Sequence, residues 1–330
     1  DVLLPHLAGR PISMSRYPNG IEGASFYEKR SPGHQPDWMQ TAKVDSESMG
    51  GEIDFLLASD RESLMWFANM GCIEIHPFHS RASDLEHPDY AIFDLDPADG
   101  STWDQVVTAT TMVETMLDAL GLAGYPKLSG SKGMHVYVPL EPGQQDYARV
   151  RRFVAAVGEL MAQANPADIT VDWKIPNRKG KVFVDANRNA SGQTIASVYS
   201  VRPRRGAPIS IPITWDEATT MRNGDIHLGN IAARIADVSD LFAPVAEGGQ
   251  PVLGLWIVQK AGLAQVLADA ANLRAEQAML RAKRRASDAD PAEIEAVLAK
   301  IRNKHWVAGP LIQFKGRNAR KLAARIRFAS

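Results

Sequence analysis

Two aspartates stand two residues apart in YAIFDLDP, residues 90–97, where a short apolar run comes to its end. A β-strand alternates its side chains, so Asp94 and Asp96 share one face while Phe93 and Leu95 share the other. Their Cα atoms then lie roughly 6.5 Å apart. Half-buried carboxylates this close stay ionised only beside a compensating cation, and a divalent metal is one candidate. An ordinary Asp-Pro turn is the plainer reading of the same residues. KVFVDANRN, residues 181–189, repeats the theme, with an apolar strand breaking into Asp185 and Arg188 following. Taken alone, Asp185 also reads as a turn aspartate.

A different chemistry is written in LSGSKGMHVYVPL, residues 128–140. Ser129, Gly130, Ser131, Lys132 and Gly133 make a small-residue turn into a strand, with His135 two residues inside it. Such a turn can gather backbone N–H groups, two hydroxyls and an ammonium around an anion. It is not a Walker A loop, which needs GxxxxGK(S/T) and a following helix. A Gly/Ser hairpin with a surface lysine is the alternative. Arg202, Arg204 and Arg205 cluster in SVYSVRPRRG, and a guanidinium can bond two phosphate oxygens at once. His76 in IEIHPF suits a ligand or nucleotide contact, or a structural place on a strand. Together these residues are the inventory for two-metal nucleotidyl transfer. One ion would acidify a primer 3′-hydroxyl and the other would neutralise the triphosphate, the two about 3.5–4 Å apart.

Several elements must position this inventory. Residues 1–50 are rich in Gly and Pro and read as irregular. IDFLLAS reads as a strand, the stretch around ESLMWFANMG as a helix stopping at Gly71, and CIEIHPF and YAIFDLD as strands. The run after Ser101 is an amphipathic helix, with Ser101 as N-cap and Val106, Thr110, Val113, Met116, Leu117 and Leu120 in one stripe. KGMHVYVPL is a strand and DYARVRRFVAAVGELMAQA a second helix. KVFVDA, TIASVYSVR and PISIPITW are three strand-like runs. An α/β or α+β core through about residue 245 follows. Beyond it, residues 246–330 carry Ala-rich helical patterns and the cluster Arg281, Lys283, Arg284 and Arg285, on a chain whose earlier part is acidic. That asymmetry points to a polyanionic partner or to a solvated helix face.

At 330 residues, 45% hydrophobic and 23% charged, the composition is that of a globular protein of one large or two smaller domains. One cysteine, Cys72, excludes an internal disulfide framework. DVLLPHLAGR lacks the pattern of a signal peptide, and no apolar run approaches a membrane span. A cytoplasmic location is the expectation.

DLDP, SGSKGMHVYVPL, VFVDANRN and YSVRPRRGAPISIPITWDE, in this order, resemble the polymerase domain of bacterial DNA ligase D, of the archaeo-eukaryotic primase superfamily. HLAGRPISMSRYPNGIEGASFYEK and CIEIHPF are similar to it too, so the resemblance covers about residues 1–245. The basic extension makes the chain most like the family's stand-alone mycobacterial members. The resemblance implies an α+β fold of two sheets flanked by helices, with the active site between them. It implies a template-dependent polymerase in DNA repair, using manganese or magnesium and preferring ribonucleotides, at gapped or primer-template DNA and alongside other repair proteins. Asp94, Asp96 and Asp185 would hold two metal ions. Ser129, Lys132, His135 and Arg202 would hold the incoming triphosphate, with His76 and Arg188 beside the nucleotide. Phe26, Tyr27 and Lys29, with Arg16, would meet the template. The sequence begins after a strand and helix that usually open the family domain and grip a downstream 5′-phosphate, so the expectation is that the C-terminal basic helices take that role. Leu128 stands where the family often has Thr.

Two rival readings can be weighed. A haloacid-dehalogenase-type phosphatase also carries DxD after a strand, but DLDP continues Ala-Asp-Gly and no GDxxxD follows. A non-catalytic nucleic-acid-binding module explains the basic tail and the aromatic pair, and leaves three strand-end aspartates unexplained.

Overall fold

The computed structural model of the chain describes residues 2–46 and 50–249. Its strands form two sheets. The first is built from a helical turn, α1 (Leu4–Leu7), then β1 (Pro11–Arg16), β2 (Phe26–Glu28), β3 (Thr41–Ser46) and β4 (Gly51–Leu57). Helix α2 (Arg61–Asn69) and β5 (Cys72–Pro77) complete it. β1 pairs antiparallel with β5 along its length, with β2 through Met14–Arg16 and with β4 through Pro11 and Ile12, while β3 pairs with β4. Leu7, Ile12, Met14, Leu56, Phe67 and Ile75 form its apolar cluster.

Three strands therefore lie in a region whose sequence reads as irregular. β1 is buried at five of its six positions, so it shows no alternation, and TAKVDS of β3 offers too few apolar residues to mark a strand. The α2 helix does begin and end where its residues predict. Asp60 caps it, accepting from the Ser63 N–H at 2.8 Å, and Gly71 follows its end in the left-handed region.

The second sheet contains β6 (Tyr90–Pro97), β7 (Tyr125–Leu128), β8 (Met134–Pro139), β9 (Ile169–Thr170), β10 (Val182–Val184) and β11 (Ile211–Pro212). Their spatial order is β11-β7-β8-β6-β10-β9, antiparallel except between β9 and β10. Helices α3 (Trp103–Leu120) and α4 (Tyr147–Ala164) pack on it, and Phe93 of β6 meets Phe153 of α4 with ring centroids 6.0 Å apart. The whole expected stripe of α3 is buried. Its cap is Thr102 rather than Ser101, because Thr102 and Gln105 close a capping box while the Ser101 hydroxyl donates to the Lys181 carbonyl at 2.7 Å.

TIASVYSVR and PISIPITW differ most from expectation. Only Ile211–Pro212 is a strand there, beside an isolated bridge between Val201 and Ile209. Tyr199 and Ala207 take positive φ values of 63° and 46°, which interrupt any ladder. The resulting irregular segment runs between the sheets, where the Ser197 N–H donates to the Ile75 carbonyl of β5 at 2.9 Å.

Two further ties join the halves. Buried Arg10 donates to the His79 carbonyl at 2.7 Å and pairs with Asp89 at 2.5 Å. His6 of α1 meets Asp240 at 2.9 Å, and the Tyr199 hydroxyl donates to the same carboxylate at 2.6 Å. Helices α5 (Ile231–Val238) and α6 (Ala243–Glu247) end the described chain. From residue 250 onward the expected basic extension, with its supposed 5′-phosphate grip, lies outside the described residues. Among the described residues no helix is long and apolar enough to cross a membrane.

Candidate active site

The site is laid out by strand register. Asp94 on β6 is the cross-strand partner of His135 on β8, which is in turn the partner of Lys127 on β7, so the three form a row across one face. On the other side of β6, Val184 of β10 pairs with Leu95, and the next N–H, that of Asp185, donates to the Asp94 carbonyl at 3.0 Å. Backbone pairing thus brings the third aspartate beside the first. A 3₁₀ turn over Ala186–Asn189 follows, placing the Arg188 Nε 3.3 Å from Asp94 Oδ2 and 3.5 Å from Asp185 Oδ2. Fully buried Asn189 anchors that turn. Its Oδ1 accepts from the Ile92 N–H and its Nδ2 donates to the Ile92 carbonyl, both at 2.8 Å.

Burial pushes the Asp94 carboxyl up to about 7; Arg188 opposes this, and Asp96 and Asp185 add to it. Asp96 stands exposed at the rim, raised by partial desolvation against the pull of Lys132 and Arg188. Burial, reinforced by Lys127, Arg202 and Arg188, holds His135 well below the ordinary histidine value, so it is a neutral imidazole. Its Nε2 lies 3.4 Å from Asp94 Oδ1, and its Nδ1 is buried without a partner. The three carboxylates are hard oxygen donors of the kind magnesium and manganese take, and a dication would offset the burial and the neighbouring negative charges that raise Asp94. Among the described residues no three His, Cys, Asp or Glu side chains converge into a ready-made metal cage. Arg188 bridges Asp94 and Asp185 instead.

The Ser/Gly/Lys turn is organised differently from the amide-lined cradle its sequence suggests. The Ser129 hydroxyl oxygen accepts from the Ser131 and Gly133 N–H groups at 3.1 and 3.2 Å, and the Gly130 N–H donates to Asn223 Oδ1 at 2.7 Å. Those three amides are therefore engaged within the protein. Having accepted twice, the Ser129 oxygen still has its own proton to donate, and Lys132 is exposed. Gly133 is required by contact, since a Cβ there would lie 2.1 Å from the Leu95 carbonyl oxygen. The turn is seated on β6 between its two aspartates.

Arg202 connects this turn to the first sheet. Its Nη1 donates to the Ser129 carbonyl at 2.5 Å and its Nε pairs with Glu74 of β5. Glu74 Oε2 is also 3.5 Å from His76 Nε2, and the Ser15 hydroxyl is 3.0 Å from the same nitrogen. Burial opposes ionisation of Glu74, yet His76 and Arg202 hold its carboxyl below the usual range. Tyr27 meets the His76 ring edge-on at 5.5 Å, and Phe26 and Tyr27 are 55% and 53% exposed. Lys29 follows on the same short segment, half-buried. Arg16 is committed to Glu28 at 2.7 Å and to the Met70 carbonyl at 2.8 Å, so it holds β2 in place. The structure therefore gathers Asp94, Asp96, Asp185, Arg188, His135, Ser129, Lys132, Arg202 and His76, with the aromatic pair at one edge. Glu74, Asn189 and Asn223 belong to the same assembly and were not singled out in the sequence. Glu74 had one signal, a charge two residues before His76 on the same strand face.

A family model described as LigD, primase-polymerase domain, matches residues 1–242. The chain belongs to this family. LigD primase-polymerase domains are nucleotidyltransferases that act in non-homologous end joining. The multifunctional non-homologous end joining protein LigD of Mycolicibacterium smegmatis is 33% identical over 248 residues, 74% of this chain and 32% of that protein. The bifunctional LigD of Bacillus subtilis is 33% identical over 218 residues, 66% of this chain and 34% of its own length. The chain thus spans about a third of the length of these relatives. Among solved structures, the polymerase domain of Mycobacterium tuberculosis Ligase D in complex with DNA matches with a TM-score of 0.69 and 30% identity, covering 76% of this chain and 88% of that one.

Proposed function

We propose that the chain is a template-dependent primase-polymerase that adds nucleotides to a primer 3′-hydroxyl at short gaps or breaks, taking ribonucleotides in preference. The observation that carries this reading is the Asp185–Asp94 backbone bond, which brings a third carboxylate beside the DxD pair, on the strand against which the Ser/Gly/Lys turn rests. Asp94, Asp96 and Asp185 would hold two dications, manganese or magnesium. When bound, these acidify the 3′-hydroxyl and neutralise the triphosphate and the departing pyrophosphate. The Ser129 hydroxyl, the Lys132 ammonium and Arg202 hold the triphosphate, while His135 borders it without adding charge. His76 and Arg188 flank the nucleotide. Phe26 and Tyr27 offer faces on which template bases stack whatever their sequence, with Lys29 beside the backbone.

Residues 1–245 form the catalytic domain in this reading and 246–330 a basic extension that adds DNA contacts. That layout is the one of the stand-alone mycobacterial Primase-Polymerase C. A cytoplasmic enzyme working beside other repair proteins follows from it.

Primer extension on DNA with a gap of a few nucleotides, with manganese and either nucleotide type, tests the reading. Wild type should incorporate, ribonucleotides faster, and Asp94→Ala/Asp96→Ala should lose at least roughly a thousandfold in rate while keeping its DNA affinity. Equal incorporation by both proteins would remove the metal assignment. No incorporation by wild type, with tight gap binding, would leave a non-catalytic binding module.

A further inference from the structure

Asn223 lies some ninety residues along the chain from the Ser/Gly/Lys turn and touches both of its ends. Its Oδ1 accepts from the Gly130 N–H at 2.7 Å, and its Nδ2 donates to the Gly133 carbonyl at 3.0 Å. The two partners fix the amide's orientation, because the flipped form would set N–H against N–H and carbonyl against carbonyl. Asn223 itself is fixed by a tight turn in which the Arg222 N–H donates to the Asp225 carboxylate at 2.8 Å and the Asp225 N–H to the Arg222 carbonyl at 3.1 Å. Asn-Gly is a strong turn-former, and Gly224 takes a φ of 101° there.

The turn that Asn223 grips has little freedom elsewhere. Gly130 sits at φ 69°, with Arg202 Cγ and the Ile209 backbone 2.7–2.8 Å from where a Cβ would be. Gly133 rests on the Leu95 carbonyl, between the two aspartates of β6. Between these fixed ends only Ser131 and Lys132 are left to move, and Asn223 bonds to the residues on either side of them.

We infer that Asn223 is a positioning residue for the incoming nucleotide. It sets the Ser129 hydroxyl and the Lys132 ammonium at the height above Asp94 and Asp96 that a triphosphate requires. Any side chain at this place could fill space, but closing the turn takes one acceptor and one donor on a short planar group. Asparagine has both. Aspartate would keep the bond from Gly130, turn a carboxylate oxygen onto the Gly133 carbonyl and add a negative charge beside a polyanion site. Asn223 touches no reacting atom, so its effect should fall on nucleotide affinity. This inference rests on the polymerase reading for its consequence and on geometry alone for the clamp.

The experiment uses the full chain with Asn223→Ala, Asn223→Asp and Asn223→Gln. Steady-state extension of a gapped primer should show KM for the nucleotide raised about tenfold in the alanine variant, with kcat changed less than about threefold. DNA affinity by gel shift should stay within about twofold, since no DNA contact is altered. The aspartate variant should be at least as impaired as the alanine one, and glutamine should recover part of the loss. An unchanged KM in Asn223→Ala would overturn the inference. So would a parallel loss of KM, DNA affinity and thermal stability, which marks a general structural role. A second readout does not depend on turnover. Amide hydrogen exchange at Gly130 should be slow in wild type and at least about tenfold faster in Asn223→Ala, because its acceptor among the described residues is gone. If wild type fails to extend primers but the exchange difference appears, the polymerase reading fails and the clamp stands. Equal exchange in both proteins removes the clamp.

Discussion

At Asp94 two demands conflict, since the strand ends in a buried position and the proposed metal-ion chemistry needs a charge there. Burial raises the carboxyl to about 7, and Arg188, with its Nε 3.3 Å from Oδ2, opposes that rise. Such a charge at a strand end is legible in sequence because it violates the apolar pattern around it. The residues that escaped notice are of another kind. Asn189 and Asn223 use their amides to bond backbone groups roughly ninety residues away, at Ile92 and at Gly130 and Gly133. No local pattern marks a partner that distant. Phe26 was reached through the family resemblance alone, and the structure leaves this large apolar side chain 55% exposed. Phe26→Ala should weaken binding to gapped DNA by about 1–3 kcal/mol, and a comparable fall on every template sequence, read by fluorescence anisotropy, is the expected result. A loss confined to one sequence would argue against stacking.

Elements with strong internal periodicity were legible, and those held by tertiary contacts were not. The α3 stripe is buried residue for residue, because a helix of eighteen residues repeats its signal several times. β9 has two residues, too few for any period, and the two of β11 lie inside a run that reads as a longer strand. The stretch from Thr194 to Trp215 reads as strands from its β-branched content, yet it must wind between two sheets to bring Arg202 to both Glu74 and Ser129. Tertiary demand overrode propensity there. At β6 the decisive support is the Asn189 side chain, which bonds Ile92 as another strand would. Asn189→Ala leaves that buried N–H and carbonyl unpaired and should cost about 2–4 kcal/mol of stability. Urea denaturation would show it as a lower midpoint at unchanged slope, and a shift below about 0.5 kcal/mol would mean that water replaces the amide.

On the scale of the whole molecule, the halves are joined by polar ties as well as by apolar packing. Burial works against a charge on Asp240, but His6 and Tyr199 hold its carboxyl below its usual value. A depressed folded-state value contributes stability above the unfolded-state value, and that contribution disappears as pH falls through the folded one. Stability should therefore decline below about pH 4, and Asp240→Asn should flatten that decline while lowering stability near neutrality. Urea midpoints from pH 7 to pH 3 check both, and parallel curves would show that Asp240 is not the group concerned. The backbone bond from Asp185 to Asp94 and the seating of Gly133 on Leu95 have a consequence for the cell. Both are made by main-chain atoms, so they survive when the aspartate side chains are cut back. On the proposed polymerase reading, a chain carrying Asp94→Ala/Asp96→Ala should keep its shape and its affinity for gapped DNA while adding no nucleotide. Expressed beside an intact copy, it should then act as a poison, occupying ends that the intact copy cannot reach. In a mixed reaction, extension should fall in proportion to the inert chain added, and an undiminished yield would show that the two do not compete for the same ends.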